Sequence, residues 1–338
     1  MPTRFRPYLC AVFALVFVAA PLSAAPAEVP RVVTTIKPVH SLTAAVMGEL
    51  GAPRLLVDGA QSPHTYDMPP SDAYALERAD VVVWVGPALE TFLQRPLESL
   101  ARNAHHVRLQ DAPGVKLLRT RVSGTWASAH AGHAHGGADR GGDGHAAHGG
   151  AGTPVSGRGD SAIPSDRIDP HIWLDPANAR AMVRAIADAL AEADPAHAEH
   201  YRANAAKTRE RIAALAKDID ERLAPVRDMP FVVFHDAYHY FERAFGLNAV
   251  GAITLNPQRQ PSARRLHAIR SQIRDLDARC VFREPQFAPD LVATVLEGTP
   301  AREGVLDPLG AELDAGPEAY PTLMRRLAQS LRDCLGTS

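Results

Sequence analysis

Residues 194–223 read DPAHAEHYRANAAKTRERIAALAKDIDERL, and this stretch decides the fold. Asp194-Pro195 is a cap-plus-proline helix start, and no glycine interrupts the run to Leu223. The larger apolar residues are Tyr201, Ile212, Leu215, Ile219 and Leu223, mostly three or four apart, which makes a single buried stripe. At 1.5 Å per residue the helix is roughly 42 Å long, enough to run along two lobes. Pro225 and Pro230 end it.

On both sides of this helix short apolar strands alternate with helical stretches, the pattern of α/β layers. Upstream, 31–36 (RVVTTI), 54–57 (RLLV), 80–85 (DVVVWV) and 105–109 read as strands. A helix over 38–50 has Pro38 in its first turn, and Ser71 is placed to cap another that runs to about residue 78. Asp175-Pro176 starts a further helix. Downstream, 231–234 (FVVF), 279–283 (RCVFR) and 304–306 read as strands and 236–245 as a helix. The expected architecture is therefore α/β, two α/β lobes with a metal cleft between them, joined by one long rigid α-helix. The lobes are expected at 28–194 and 226–338, with the connecting helix at 195–225. Ligands of open α/β sheets bind beyond the carboxyl ends of the strands.

The first residues set the compartment. Arg4 and Arg6 precede an apolar run, and Ser23-Ala24-Ala25-Pro26-Ala27 supplies small residues suited to cleavage. Residues 1–27 are expected to be a signal peptide, which places the mature chain in the periplasm. Cys10 lies inside the apolar run and away from a plausible cleavage point, which argues against a lipid anchor. Removing the two arginines moves the formal charge from −2 to −4, so there is no basic signal for nucleic acid. Cys280 and Cys334 then remain. In an oxidising compartment two cysteines read as one disulfide, the alternative being two buried thiols.

Composition shifts between about 120 and 167, where Gly, Ala, Ser, His and Asp dominate and large apolar residues are almost absent. Such a segment cannot bury enough surface to offset its ordering entropy, and a disordered His-rich loop is expected within the first lobe. His130, His133, His135, His145 and His148 lie in it as candidate auxiliary metal ligands. A solvated linker is the plainer reading.

Three other histidines stand at element ends. His64 follows the 54–57 strand, His171 precedes a helix, and His235 ends the 231–234 strand. Asp307 ends the short strand before Pro308-Leu309-Gly310. Neutral imidazole is a good Zn²⁺ donor, and four-coordinate sites are usual. Yet a lone histidine at a strand end is more often hydrogen-bonded structure, and Asp307 before proline suits a helix cap equally well. Separations of 107 and 64 residues match no local zinc motif, so spacing alone does not assemble a site.

An ordered series of strings does. Asp58-Gly59-Ala60, His64-Thr65-Tyr66, Pro70-Ser71-Asp72 and Ala79-Asp80-Val81-Val82-Val83-Trp84-Val85-Gly86 come first. His171-Ile172-Trp173-Leu174-Asp175-Pro176 and Phe234-His235-Asp236-Ala237-Tyr238 come next, then Glu284-Pro285-Gln286-Phe287 and Leu306-Asp307-Pro308-Leu309-Gly310. Together they resemble the zinc-uptake solute-binding proteins of the ZnuA type over nearly the whole mature chain. The resemblance implies a high-affinity periplasmic Zn²⁺-binding protein that hands its transported ligand to the membrane permease of a zinc ABC transporter, with its cytoplasmic ATPase. It implies zinc ligation by His64, His171 and His235, a Cys280–Cys334 disulfide and a monomer. The fourth ligand varies in that family. Pro63 removes the option of an acid before His64, which leaves Asp307 or water, and Asp307 is expected at, or within one water of, the metal. Manganese-binding relatives carry a carboxylate where His235 stands, and three imidazoles suit zinc better.

A zinc hydrolase would also use three histidines and an open position, but no H-E-x-x-H or G-x-S-x-G signature is present, and no enzyme is expected. An adhesin is a third reading, weakened by the missing lipid anchor. Glu284 is a candidate for orienting a ligand. His40 is expected to be exposed or beside the ligands. His105, His106, His197, His200, His239 and His267 are expected on the surface.

Overall fold

The computed structural model describes residues 28–121, 167–257 and 260–336. The expected signal segment 1–27 and the loop histidines His130, His133, His135, His145 and His148 lie outside these residues. Among the described residues no helix is long and apolar enough to cross a membrane.

Two parallel sheets repeat one plan. The first has strands β1 (Val32–Ile36), β2 (Arg54–Val57), β3 (Val81–Trp84) and β4 (His105–Arg108) in the order β2-β1-β3-β4. The second has β5 (Phe231–His235), β6 (Ala249–Thr254), β7 (Cys280–Arg283) and β8 (Arg302–Val305) in the order β6-β5-β7-β8. Each winds outward from its first strand and then crosses back, so the sense of winding reverses beside β1 and beside β5. The run of valines in β3 is fully buried because a parallel strand is covered on both faces. The sequence reading missed β6. Its string AVGAIT is diluted by two alanines and a glycine, so it lacks the density of large β-formers that marks β3 and β5.

The helices of the first lobe are α1 (Lys37–Met47), α2 (Pro70–Glu77), α3 (Gln94–Ser99) and α4 (Pro176–Ala193). The connecting helix α5 (Ala198–Leu223) comes next, and the second lobe carries α6 (His239–Phe245), α7 (Ala263–Asp275), α8 (Asp290–Leu296) and α9 (Ala319–Leu335). Asp175 caps α4 as expected, its Oδ1 accepting from Ala177 N–H at 2.7 Å. Ser71 caps nothing: α2 starts at Pro70, so the serine sits inside the first turn. The long helix starts three residues late. Its expected cap, Asp194, accepts instead from Tyr201 Oη at 2.8 Å and His197 Nδ1 at 2.7 Å, and Pro195–His197 form a 3₁₀ turn.

The buried stripe of α5 is Tyr201, Ala205, Thr208, Ile212, Leu215, Ile219 and Leu223. Large apolar residues predicted most of it. Ala205 and Thr208 complete it as small side chains on the face where α1, α4 and α9 pack. That packing fixes the helix along its length, and one hydrophobic core runs through both lobes. A smaller separate cluster lies under α7 and α8.

The boundary expected at 226 is crossed by later chain. The final helix α9 packs on α1 and α5. Ser41 Oγ donates to Pro317 O at 3.0 Å and accepts from Tyr320 N–H at 2.8 Å. Trp173 Nε1–H donates to Pro308 O at 2.8 Å, and Tyr320 Oη–H to Trp173 O at 3.0 Å. The buried Lys37 ammonium donates to the carbonyls of Ala311 and Leu313 at 3.1 and 2.6 Å and pairs with Asp58 at 3.0 Å. The expected disulfide is formed, joining Cys280 in β7 to Cys334 in α9.

Candidate metal site

Three elements from two lobes deliver three imidazoles. His64 stands in the turn after β2, closed by Thr65 N–H donating to Ser62 O at 3.1 Å. His171 opens a 3₁₀ turn, Ile172–Leu174, where Pro170 has ended the preceding extended segment. His235 is the last residue of β5, beside the reversal in winding. One ligand atom from each lies within 4.8 Å of the other two, a grouping that no other set of three among the described residues achieves. The ring centroids are 5.2 to 5.9 Å apart. His171 and His235 are buried and His64 partly so, at the floor of a cleft of about 430 Å³.

The hydrogen bonds fix which nitrogens face the centre. Asp169 Oδ1 accepts from His171 Nδ1 at 2.8 Å, and Glu284 Oε1 accepts from His235 Nδ1 at 2.6 Å. A carboxylate only accepts, so both Nδ1 atoms carry the proton and both Nε2 atoms present a lone pair. Those two Nε2 atoms stand 3.3 Å apart. Two lone pairs at that distance repel unless a proton or a cation lies between them. Around a tetrahedral Zn²⁺ with Zn–N bonds of about 2.05 Å the nitrogens are about 3.3–3.4 Å apart. The pair is already spaced for that ion.

The electrostatics agree. Desolvation, then the neighbouring imidazoles of His171 and His235, hold His64 well below the usual histidine range, so it presents a neutral ring. Burial also opposes charge on His235, but the carboxylates of Glu284, Asp236 and Asp169 together outweigh it and raise that ring. Asp169 is buried, yet its contacts with His171 and His239 hold it down to about 2. It is therefore an anion at neutral pH.

Asp307 departs from expectation. Its Oδ1 accepts from Leu309 and Gly310 N–H, both at 3.0 Å, and from Gln286 Nε2 at 2.7 Å. Its Oδ2 accepts from Ala311 N–H at 2.6 Å. Both oxygens are committed to the turn, the capping role that an aspartate before proline also allows, and it is not grouped with the histidines.

His40 is buried rather than exposed, its Nε2–H donating to Pro53 O at 3.1 Å. His239 is also misplaced by the sequence reading. It is partly buried, with Nδ1 at 3.6 Å from Asp169 Oδ2. Sequence reasoning missed Asp169 itself, although an aspartate two residues before a histidine was a usable signal: Asp169 Oδ1 also accepts from His171 N–H at 3.1 Å. It missed Arg121, which reaches across the cleft to pair with Asp236 at 2.9 Å and with Glu242. That pairing depends on tertiary approach and leaves no local trace.

Comparison with known proteins identifies the family. Residues 32–334 match the model of the family described as ZnuA, zinc-uptake complex component A, periplasmic. The high-affinity zinc uptake system protein ZnuA of Brucella abortus is 46% identical over 304 residues, covering 90% of this chain and 91% of that protein. Its namesake in Paracoccus denitrificans is 40% identical over 311 residues, with 92% and 93% covered. A crystal structure of ZnuA superposes with a TM-score of 0.68 at 23% identity, covering 90% of this chain and 99% of the other, which supports the two-lobed fold.

Proposed function

The chain belongs to the ZnuA family of periplasmic zinc-uptake components, and from that premise we propose that it captures Zn²⁺ between its lobes through His64, His171 and His235. The ion is cargo. It passes on to the membrane permease of an ABC importer, driven by a cytoplasmic ATPase, and the protein is a carrier rather than an enzyme. One observation carries the reading: two carboxylate-backed imidazoles face each other with their lone pairs 3.3 Å apart.

The chemistry favours zinc over manganese. All three donors are imidazoles, whereas Mn²⁺ favours carboxylate, carbonyl and water oxygen. The carboxylates Asp169 and Glu284 stand behind the rings, where they fix the tautomer and make the lone pair a better donor. With Asp307 held by its turn, water from the cleft is the proposed fourth ligand. His130, His133, His135, His145 and His148 are proposed as loose auxiliary collectors.

Titration of the metal-free mature protein with Zn²⁺ against a competing chelator tests this reading. One tight site is expected. Changing His64, His171 or His235 to Ala should weaken it by more than about 100-fold each, beyond the range usual for an outer contact. Deleting residues 125–165 should leave it intact. Equal or better affinity for Mn²⁺, or a tight site that survives all three substitutions, would overturn the assignment.

A further inference from the structure

Asp169, the carboxylate behind His171, is held by the opposite lobe. Extended segments on either side of 122–166 meet as a short antiparallel pair with a bridge at Arg119 and Ile168. Thr120 N–H donates to Arg167 O and Asp169 N–H to Leu118 O, both at 2.9 Å. The return bond from Leu118 N–H to Asp169 O is not made directly. A hydroxyl is inserted there instead: Tyr240 Oη accepts from Leu118 N–H at 2.8 Å and donates to Asp169 O at 3.0 Å. Tyr240 is buried and belongs to α6, in the second lobe.

Its neighbour His239 aims at the same residue. His239 Nδ1 and Asp169 Oδ2 are both buried without a hydrogen-bond partner, 3.6 Å apart. That is about 0.7 Å beyond an ordinary hydrogen bond. Arg121 completes the contact by pairing with Asp236, just before α6, and with Glu242 on it. So the main chain and the carboxylate of Asp169 both face the same seven-residue helix, while its other oxygen orients the metal-facing ring of His171.

We propose that His239 and Tyr240 are positioning residues that make zinc affinity depend on contact between the lobes. Drawing α6 away from the antiparallel pair releases Asp169, and His171 then loses the carboxylate that fixes its tautomer and direction. Removing an outer contact of this kind typically costs about 10–100-fold in metal affinity. A partner that parted the lobes slightly would thereby lower affinity without displacing any ligand itself, a means of unloading the carrier. This rests on the zinc-capture reading above.

The test measures Zn²⁺ affinity by chelator competition and dissociation by rapid mixing with excess chelator. Tyr240→Phe and His239→Gln are each made in the wild-type and the Asp169→Asn backgrounds. Each single change should weaken zinc roughly 5–10-fold, through faster dissociation, and Asp169→Asn roughly 10–100-fold. Neither α6 change should weaken zinc further once Asp169 is Asn, because all act through one route. The visible spectrum of bound Co²⁺ in Tyr240→Phe should shift in the direction seen with Asp169→Asn. Affinity and off-rate within twofold of wild type, or losses that multiply with Asp169→Asn, would overturn the proposal. Should Tyr240→Phe not fold, His239→Gln carries the same test at a less buried position. His171→Ala separates the two readings. If it leaves zinc binding intact, the capture site itself is wrong; if it abolishes binding while the α6 variants bind normally, only the lobe coupling is wrong.

Discussion

Replacing Glu284 by Gln should weaken zinc binding at high pH more than at low pH. Glu284 is 1% exposed, and its Oε1 accepts from both Nδ1 and the main-chain N–H of His235 at 2.6 and 3.3 Å. Glutamine keeps an acceptor of the same shape but removes the charge. At about pH 8 His235 in the variant still donates its lone pair, now to less effect, and a loss of about 10–100-fold is expected, or about 1.4–2.7 kcal/mol. The same charge has an opposite effect at lower pH. Burial lowers His235, but Glu284, joined by Asp236 and Asp169, more than reverses this, so its pKa lies above the ordinary value of 6.5. Below that raised pKa the metal-free wild type holds a proton that zinc must displace, so its affinity rises with pH through the window above 6.5. In Glu284→Gln only the more distant charges of Asp236 and Asp169 still oppose burial, the ring loses its proton at a lower pH, and that part of the slope weakens. The variant's deficit should therefore shrink as pH falls from about 8 to about 6. Chelator competition across that range reads both quantities. A deficit that is constant with pH, or an affinity within twofold of wild type at the upper end, would refute the reasoning.

Three other perturbations have defined outcomes. Asp307→Ala should leave zinc affinity within about threefold but cost about 1–2 kcal/mol of stability, seen as a lower melting temperature, because it strips the acceptor from three main-chain N–H groups; a large loss of zinc binding would return Asp307 to the metal. Replacing Cys280 and Cys334 together by Ser opens a loop with a sequence separation of 54 and should cost about 4 kcal/mol, measured by denaturant unfolding; an unchanged midpoint would contradict it. Glu90 is buried and burial raises its carboxyl to about 7, even though Thr35 Oγ, Gly86 N–H and Val85 N–H donate to it. Its folded pKa exceeds the unfolded value, so the folded state binds the proton more tightly and loses stability as pH rises from about 4.5 through about 7. Glu90→Gln should flatten the fall in melting temperature across that window, and a curve parallel to wild type would count against this origin.

Much of the fold was legible because parallel strands buried on both faces leave apolar runs, as in β3 and β5, and because the stripe of α5 repeats at helical spacing. Helix starts were less legible. Asp194 had the right side chain for a cap, but Tyr201 and His197 compete for its oxygens. The three histidines were found through resemblance, since no spacing rule links residues that meet only when two lobes pack. Asp307 shows the ambiguity of a short motif. An aspartate before proline can cap a turn or bind a metal, and only the main-chain amides around it decide. His239 and Tyr240 were out of reach for another reason. Their shared partner Asp169 lies about 70 residues earlier in the chain and belongs to the other lobe.

Because α9 packs against α1 of the first lobe, the main hydrophobic core belongs to neither half alone. Leu323, Met324, Leu327 and Leu331 belong to the same core as Val39 and Leu42, so without α9 part of α1 is left uncovered. Since α1 is synthesised long before α9, that face of the first lobe is covered late in synthesis. The two halves are thus stabilised as one body, with α9 as the piece they share.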